Sequence, residues 1–272
     1  MLRSLYSGVS GMRGFQTKLD VIGNNIANVN TTGFKSSRVM FQDILSQTMS
    51  GVTAPVEEEQ GGVNAKQIGL GVGVASIDTV HTPGSAQTTN VATDLRIDGD
   101  GFFVVSPTGE TDGAYLTRAG SFGVDAAGYL VNSDGMYVVS ADGGPIQIDS
   151  ETYTSFSISQ DGSVMAVDDT GATEQIYQLA IAKVTNPGGL EKVGGNLYQL
   201  TPNADMGEMD DIIATAGEAG RGAVISGQLE MSNVDLTNEF TEMIVAQRGF
   251  QANSRIITTS DSILEEVVNL KR

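Results

Sequence analysis

The chain has 272 residues, of which 33 are acidic and 15 are basic, so its net charge is −18 at pH 7. Such a charge repels nucleic-acid phosphates and anionic membranes, so neither is expected as a partner. No apolar run reaches the roughly 18–20 residues that a membrane-spanning helix needs. The sequence has no cysteine, which excludes thiol catalysis, zinc–thiolate sites and disulfides.

The net negative charge of the chain comes from the middle of the sequence. Residues 1–45 carry five basic and two acidic side chains, and residues 230–272 carry four and seven, so the two ends together are neutral. The 184 residues between them account for the whole −18. This distribution predicts ends that are buried or self-associating and a solvated, outward-facing centre.

The first thirty residues repeat an apolar side chain at every seventh position. The spacing predicts a helix with a stripe of the coiled-coil type, because a strict repeat of seven implies a supercoiled partner. Four glycines each weaken this helix by about 1 kcal/mol relative to alanine, so packing must support it. The repeated positions are Leu5, Met12, Leu19 and Ile26.

The last forty residues have the same period, after a predicted N-cap at Asp235. The helices can pair with each other, and an uncovered stripe must then find a second molecule. The alternative is that both pack on the middle as ordinary amphipathic helices. The repeated positions are Leu236, Met243, Phe250, Ile257 and Leu264, with a second, polar row predicted at Gln247, Ser254 and Asp261.

The middle of the sequence is predicted to form an antiparallel β domain. Short β-prone runs, the first over 94–105, alternate with Asp-Gly and Gly-rich turns, which is typical of a sandwich or barrel-like domain. Residues 50–73 predict an extended connector or long loop without a packed core. The predicted fold is α+β: residues 1–33 and 232–272 form a domain of paired coiled-coil helices, 34–75 a connector with a long loop, and 76–231 the central β domain.

Few residues in the sequence suggest catalysis or metal binding. Residues 98–101 (DGDG) resemble the start of a calcium loop, but Phe102 occupies the next ligand position and no Glu closes the frame, so a turn is favoured. His81 is the only histidine, and the sequence has no nucleophile elbow. A secreted hydrolase using His81 is therefore a remote alternative, and we expect no catalytic residue, no cofactor and no metal.

Residues 24–35 (NNIANVNTTGFK) end the first helix with four asparagines in seven residues. Asn and Gly tolerate left-handed backbone geometry, so an elaborate helix C-terminus explains the segment from Asn28 to Gly33. It does not explain the adjacent Asn24 and Asn25 inside the last turn. Buried asparagines that fix the register between neighbouring helices would explain that pair.

This motif resembles the bacterial flagellar rod and hook family. Further similar segments follow in order at residues 98–103 (DGDGFF), 115–122 (YLTRAGSF) and 232–248, so that the resemblance covers essentially the whole chain. The residues carried over from the first motif are Asn24, Asn25, Asn28, Asn30, Gly33 and Phe34.

Two members of this family fit different parts of the chain. The tail over 244–253 looks like the hook protein, whereas the overall length and residues 46–69 look like the distal rod protein. A short hook protein, which would transmit motor torque to the filament, is the preferred prediction, and the distal rod is the alternative.

The resemblance also implies how the subunit assembles and where it is found. In this family the terminal helices form an inner tube around an export channel, and the β domain forms the outer layer of a helical homopolymer. The implied partners are further copies of the chain, the adjoining axial proteins (rod, hook–filament junction and hook cap) and the flagellar type III export apparatus. The implied location is the flagellar hook or basal body, reached by export through the flagellar channel.

Overall fold

The computed structural model describes residues 2–55, 61–149, 153–169, 171–207, 209–218 and 220–270. It confirms an α+β fold with a helix at each end and antiparallel β structure between them. The chain forms two compact units. The helical unit comprises Met1–Ala27, Ser37–Thr79 and Asp235–Arg272, and the β unit comprises Asn28–Ser36 and Val80–Val234.

In chain order the elements are α1 (Leu2–Ala27), β1 (Ser37–Asp43), β2 (Ser46–Ser50), β3 (Lys66–Gly69), β4 (Val72–Thr79), β5 (Ala86–Thr88), β6 (Leu95–Asp98), β7 (Phe102–Ser106), β8 (Tyr115–Thr117), β9 (Gly123–Val124), β10 (Leu130–Val131), β11 (Tyr137–Val138), β12 (Tyr153–Ile158), β13 (Ser163–Asp168), β14 (Thr173–Gln178), β15 (Ile181–Ala182), β16 (Glu191–Gly194), β17 (Leu197–Gln199), α2 (Met209–Ile212), β18 (Ile213–Ala214), β19 (Ala223–Ser226), β20 (Gln228–Glu230) and α3 (Leu236–Asn269). Within these described ranges, no helix is long and apolar enough to span a membrane.

The start of α3 is fixed by its N-cap. The carboxylate of Asp235 accepts hydrogen bonds from the backbone N–H groups of Thr237 (2.9 Å) and Asn238 (3.4 Å). These bonds satisfy two of the N–H groups that the first turn of a helix leaves without partners. The predicted cap is confirmed.

Two antiparallel strand pairs accompany the helices in the helical unit. β1 pairs with β4 over its whole length, with an irregularity between Met40 and Phe41. β2 pairs with β3, and every residue of both strands is exposed. The predicted loop over 50–73 therefore contains the strand β3, although the β2–β3 pair has no buried residue of its own.

The β unit is built around the buried strand β7. Its sheet has the order β16-β17-β8-β7-β11-β10-β9, with β15 also paired to β7 and to β18. Phe103 and Val105 contribute to one buried cluster, whereas Phe102 and Val104 contribute to another. Alternate side chains of a strand point to opposite faces of the sheet, so β7 has an apolar core on both faces and its sequence lacks an apolar–polar alternation.

The β-prone run predicted over 94–105 is interrupted in the structure. β6 ends at Asp98 and β7 begins at Phe102. Between them Gly99 (φ +125°) and Gly101 (φ +140°) adopt backbone conformations that favour glycine. The run is therefore two strands, and β6 pairs with β19 rather than with β7.

Candidate assembly site on the terminal helices

The terminal helices α1 and α3 pack against each other in antiparallel directions at positions where one partner is small. A Cβ added at Gly8 would lie 3.4 Å from Ile257 Cγ1, and one at Gly11 would lie 2.8 Å from Asn253 Nδ2. A Cβ added at Gly249 would lie 2.6 Å from Cζ of Phe15. Two of the four glycines that weaken the isolated α1, Gly8 and Gly11, are therefore positions at which the two helices approach closely, whereas Gly14 faces Phe41 of β1.

Polar contacts continue the same row toward the C-terminal end of α1. The ammonium of Lys18 pairs with the carboxylate of Glu242 at 2.5 Å, and the amide of Asn25 donates to Glu239 Oε1 at 3.0 Å. The contacting positions on α1 are 8, 11, 15, 18 and 25, which follow a heptad spacing. The predicted stripe positions Leu5, Met12, Leu19 and Ile26 are half-buried.

On α3, Met243, Ile257 and Leu264 are half-buried, whereas Leu236 and Phe250 remain 39% and 37% exposed. The second row lies one residue earlier than predicted, at Ala246, Asn253 and Ser260. Ala246 and Ser260 are buried and Asn253 is half-buried, whereas Gln247 and Asp261 are exposed and Ser254 is half-buried. Small side chains in this row allow the close approach of the glycines on α1.

Asn25 connects three parts of the helical unit and is only 1% exposed. Its Nδ2 donates to the carbonyl oxygen of Ser37 at 2.8 Å and to Glu239, while its Oδ1 accepts from the Ser37 N–H at 3.0 Å. Burial raises the pKa of Glu239, and the hydrogen bond from Asn25 opposes that rise. Asn25 thereby fixes the start of β1 relative to both helices. The neighbouring Asn24 is exposed.

The remaining motif residues lie in the β unit. Asn28 Oδ1 accepts from the Thr31 hydroxyl at 3.1 Å, and Asn30 is exposed. Gly33 has φ +70° and donates its N–H to the carbonyl of Glu230 at 2.8 Å. A Cβ there would lie 2.4 Å from the backbone nitrogen of Ala119, so no other residue fits.

Phe34 and Lys35, which follow this glycine, are both buried. Lys192 Nζ lies 5.4 Å from the centre of the Phe34 ring, within the range of a cation–π contact. Together with Gly33, these contacts anchor the end of the motif within the β unit.

A buried ion cluster, which the sequence does not predict, lies in the β unit beside this motif. Lys35 Nζ contacts Glu230 Oε1 at 2.5 Å and the carbonyl oxygen of Thr82 at 2.7 Å. Arg118 Nη1 lies 3.4 Å from Glu230 Oε2. Burial lowers the pKa values of Lys35 and Arg118, and Glu230 opposes both shifts. One signal in the sequence could have indicated this cluster. Lys35 is the only charged residue in the motif at 24–35, and Arg118 is the only one in the motif at 115–122.

His81 lies among aromatic rings in the β unit. Its ring centre is 5.7 Å from that of Phe102 and 5.5 Å from that of Tyr198. Burial lowers the pKa of His81 to about 4, assisted by the positive charges of Lys35, Lys192 and Arg118. The imidazole is therefore neutral at pH 7.

The helical unit also exposes large apolar side chains away from the contacts described above. Ile244, Val245 and Val267 on α3 are 56%, 54% and 51% exposed, and Tyr6 on α1 is 73% exposed. Such extensive apolar exposure on long helices is typical of an interaction surface.

Comparison with known proteins identifies the family. Three family models match this chain: a flagellar basal body rod protein model at residues 5–35, the hook protein FlgE/F/G D1 domain at 96–166, and the rod FlgEFG C-terminal model at 225–270. The flagellar basal-body rod protein FlgG of Bacillus subtilis is 55% identical over 272 residues, which cover both chains completely. The chain belongs to the flagellar rod and hook protein family. It is a structural protein of the flagellum and not an enzyme, so the hydrolase alternative is wrong.

The relatives also differ in length. The rod protein FlgG of Borreliella burgdorferi is 38% identical over 277 residues, whereas the hook protein FlgE of Treponema pallidum is 30% identical over 471 residues, each with full coverage of both chains. The hook relative therefore contains long segments that have no counterpart here. The comparisons favour the rod, which was the alternative, over the hook.

Proposed function

We propose that this chain is a subunit of the distal flagellar rod and that it assembles into a helical homopolymer. The observation that carries the proposal is the large exposed apolar surface of α1 and α3. In a single copy these side chains remain in water, and burial between copies would stabilise the assembly by about 25 cal/mol for each Å² covered. The full-length similarity to rod proteins supports the rod rather than the hook.

In this proposal the terminal helices continue as coiled coils in the inner tube. Contacts between copies are assigned to the heptad positions that α1 and α3 leave partly exposed. On α1 these are Leu5, Met12, Leu19 and Ile26, and on α3 they are Leu236, Met243, Phe250, Ile257 and Leu264. The acidic β unit forms the outer layer, where its charge stays solvated.

Other partners follow from a position within the axial structure. Adjoining axial proteins would contact the two ends of the polymer, and the flagellar type III export apparatus would deliver each subunit. In this proposal, the packed α1–α3 pair of each incoming subunit docks against the pairs of its neighbours at the growing end.

The proposal is tested by expressing this chain in Bacillus subtilis mutants that lack one of their own axial proteins. We expect this chain to restore motility to cells that lack their own FlgG rod protein, but not to cells that lack their hook protein. Restoration of the hook mutant alone would contradict the assignment.

A matched pair of variants tests the apolar surface. Ile244→Asp places a charge on the exposed face of α3 and is expected to abolish assembly without unfolding the monomer. Val124→Asp makes the same change at an exposed residue of β9 in the outer β unit, and assembly is expected to persist. Normal assembly of Ile244→Asp would show that this face is not an interface.

A further inference from the structure

The β unit contains a pocket of about 430 Å³ beside the buried ion cluster. Its walls come from the turn between β6 and β7 and from the segments that follow β8 and β15. The lining residues used below are His81, Asp100, Phe102, Arg118 and Lys183.

The ion cluster next to this pocket is not neutral. Lys35 and Arg118 are 0% and 4% exposed, and both face a single carboxylate, that of Glu230. Among the described residues, Glu230 is the only acidic residue in the buried set. A buried charge without a counter-ion is costly, so two cations with one buried anion favour negative groups nearby, and the exposed carboxylate of Asp100 on the pocket wall already attracts Arg118.

Two polar atoms on residues that line the pocket have no partner in the described part of the chain. They are Arg118 Nε and His81 Nδ1. The other two guanidinium nitrogens are engaged, since Nη1 faces Glu230 and Nη2 donates to the carbonyl of Gly99 at 2.9 Å. Arg118 is therefore fixed in place with part of its hydrogen-bonding capacity unused, and Phe102 lies under its guanidinium at 5.2 Å.

We propose that this pocket binds a carboxylate, supplied by an acidic side chain of a second copy of the chain. The part of this proposal that assigns the carboxylate to a second copy rests on the self-assembly proposed above. Arg118 and Lys183 provide the positive charge, and the carboxylate of Asp100 on the pocket wall offsets part of it. Neighbouring copies present carboxylates at high local concentration, because residues 46–229 contain 24 acidic and only six basic side chains.

Carboxylate binding has a specific spectroscopic readout in His81. Lys35, Lys192 and Arg118 all lower the pKa of this imidazole, while hydrogen bonding to the backbone of Pro187 opposes them. A bound carboxylate opposes the three cations and raises the pKa of His81, typically by one or more for an opposite charge within about 4–6 Å. Because His81 is the only histidine, its ring signals need no assignment.

The first test is an acetate titration of the full chain, kept below its assembly concentration and followed by NMR of His81. The proposal expects a saturable shift of the His81 ring signals at pH 7, where acetate is ionised. Lys183→Gln should weaken binding at least severalfold. Lys66→Gln removes the same charge at an exposed position of β3 and should leave the titration unchanged. Ring signals that do not respond to acetate would overturn the proposal.

The second test identifies the source of the carboxylate. Polymers labelled with ¹⁵N-histidine are measured without added acetate, at the pH used for the monomer. Ring-nitrogen shifts that match the acetate-saturated monomer support donation by a second copy, whereas shifts that match the free monomer overturn it. A chain that forms no polymer refutes the proposed function, while the acetate titration still decides whether the pocket binds a carboxylate.

Discussion

Replacing the helical glycines by alanine should have opposite effects at two positions. Alanine is favoured over glycine inside a helix by about 1 kcal/mol, because glycine loses more backbone freedom on folding. Gly23 lies in α1 with nothing within 4 Å of an added Cβ, so Gly23→Ala should stabilise the helical unit by about this amount. This variant measures helix propensity alone.

Gly249→Ala combines the same gain with a steric conflict. The added Cβ would lie 2.6, 2.8 and 2.9 Å from three ring carbons of Phe15, well inside van der Waals contact. Overpacking of this kind costs about 1–3 kcal/mol. The net effect is therefore between no change and a loss of about 2 kcal/mol, and the two variants should differ by about 1–3 kcal/mol.

The assay is urea unfolding of the full chain, followed by the far-ultraviolet ellipticity of α1 and α3. The double variant Phe15→Leu/Gly249→Ala supplies the control, because the smaller side chain relieves the conflict and the two changes should not be additive. If Gly249→Ala were as stabilising as Gly23→Ala, the described packing of α3 on α1 would be refuted.

Three further predictions concern buried polar groups. Asn25→Leu should destabilise the helical unit by about 2–4 kcal/mol in urea unfolding, because the backbone N–H and carbonyl of Ser37 and the carboxylate of Glu239 lose a hydrogen-bond partner. Electron microscopy should show irregular polymers of this variant. Regular polymers would contradict the role of Asn25 in fixing the register between helices. Glu230→Gln leaves two buried cations unpaired and should cost about 3–5 kcal/mol, whereas the exposed control Glu191→Gln should cost nothing measurable by the same method. For His81 the folded-state pKa of about 4 lies below the ordinary 6.5, so stability is lost as pH falls from 6.5 toward 4, because the unfolded chain takes up a proton that the folded chain does not. The loss reaches about 3 kcal/mol, and unfolding curves of His81→Phe against pH should lack this component; identical curves for both proteins would contradict it.

The sequence predicts the terminal helices well but not how they face each other. The heptad period and the Asp235 cap place α3 correctly, because both signals are local. The contacting row on α1 consists of residues such as Gly8, Gly11 and Asn25, whose importance depends on the partner helix. Hydrophobic periodicity selects the most apolar row, whereas the closest contact occurs where side chains are smallest.

The ion cluster is a stronger example of a feature that local patterns cannot reveal. Glu230 is separated by 195 residues from Lys35 and by 112 residues from Arg118. Sequence spacing carries no information on such contacts, although Lys35 and Arg118 both lie in motifs of the family resemblance, at residues 24–35 and 115–122. The predicted β run over 94–105 overlaps the turn that is favoured at residues 98–101, and the structure resolves this conflict in favour of the turn, because β6 ends at Asp98 and β7 begins at Phe102.

Electron cryomicroscopy of the polymer formed by the purified full chain tests directly how the subunits assemble. We expect a straight tube in which α1 and α3 line a central channel as antiparallel pairs and the acidic β unit lies outside. A curved tube would show that the chain is a hook subunit, and a tube lined by the β unit would contradict the proposed assembly altogether.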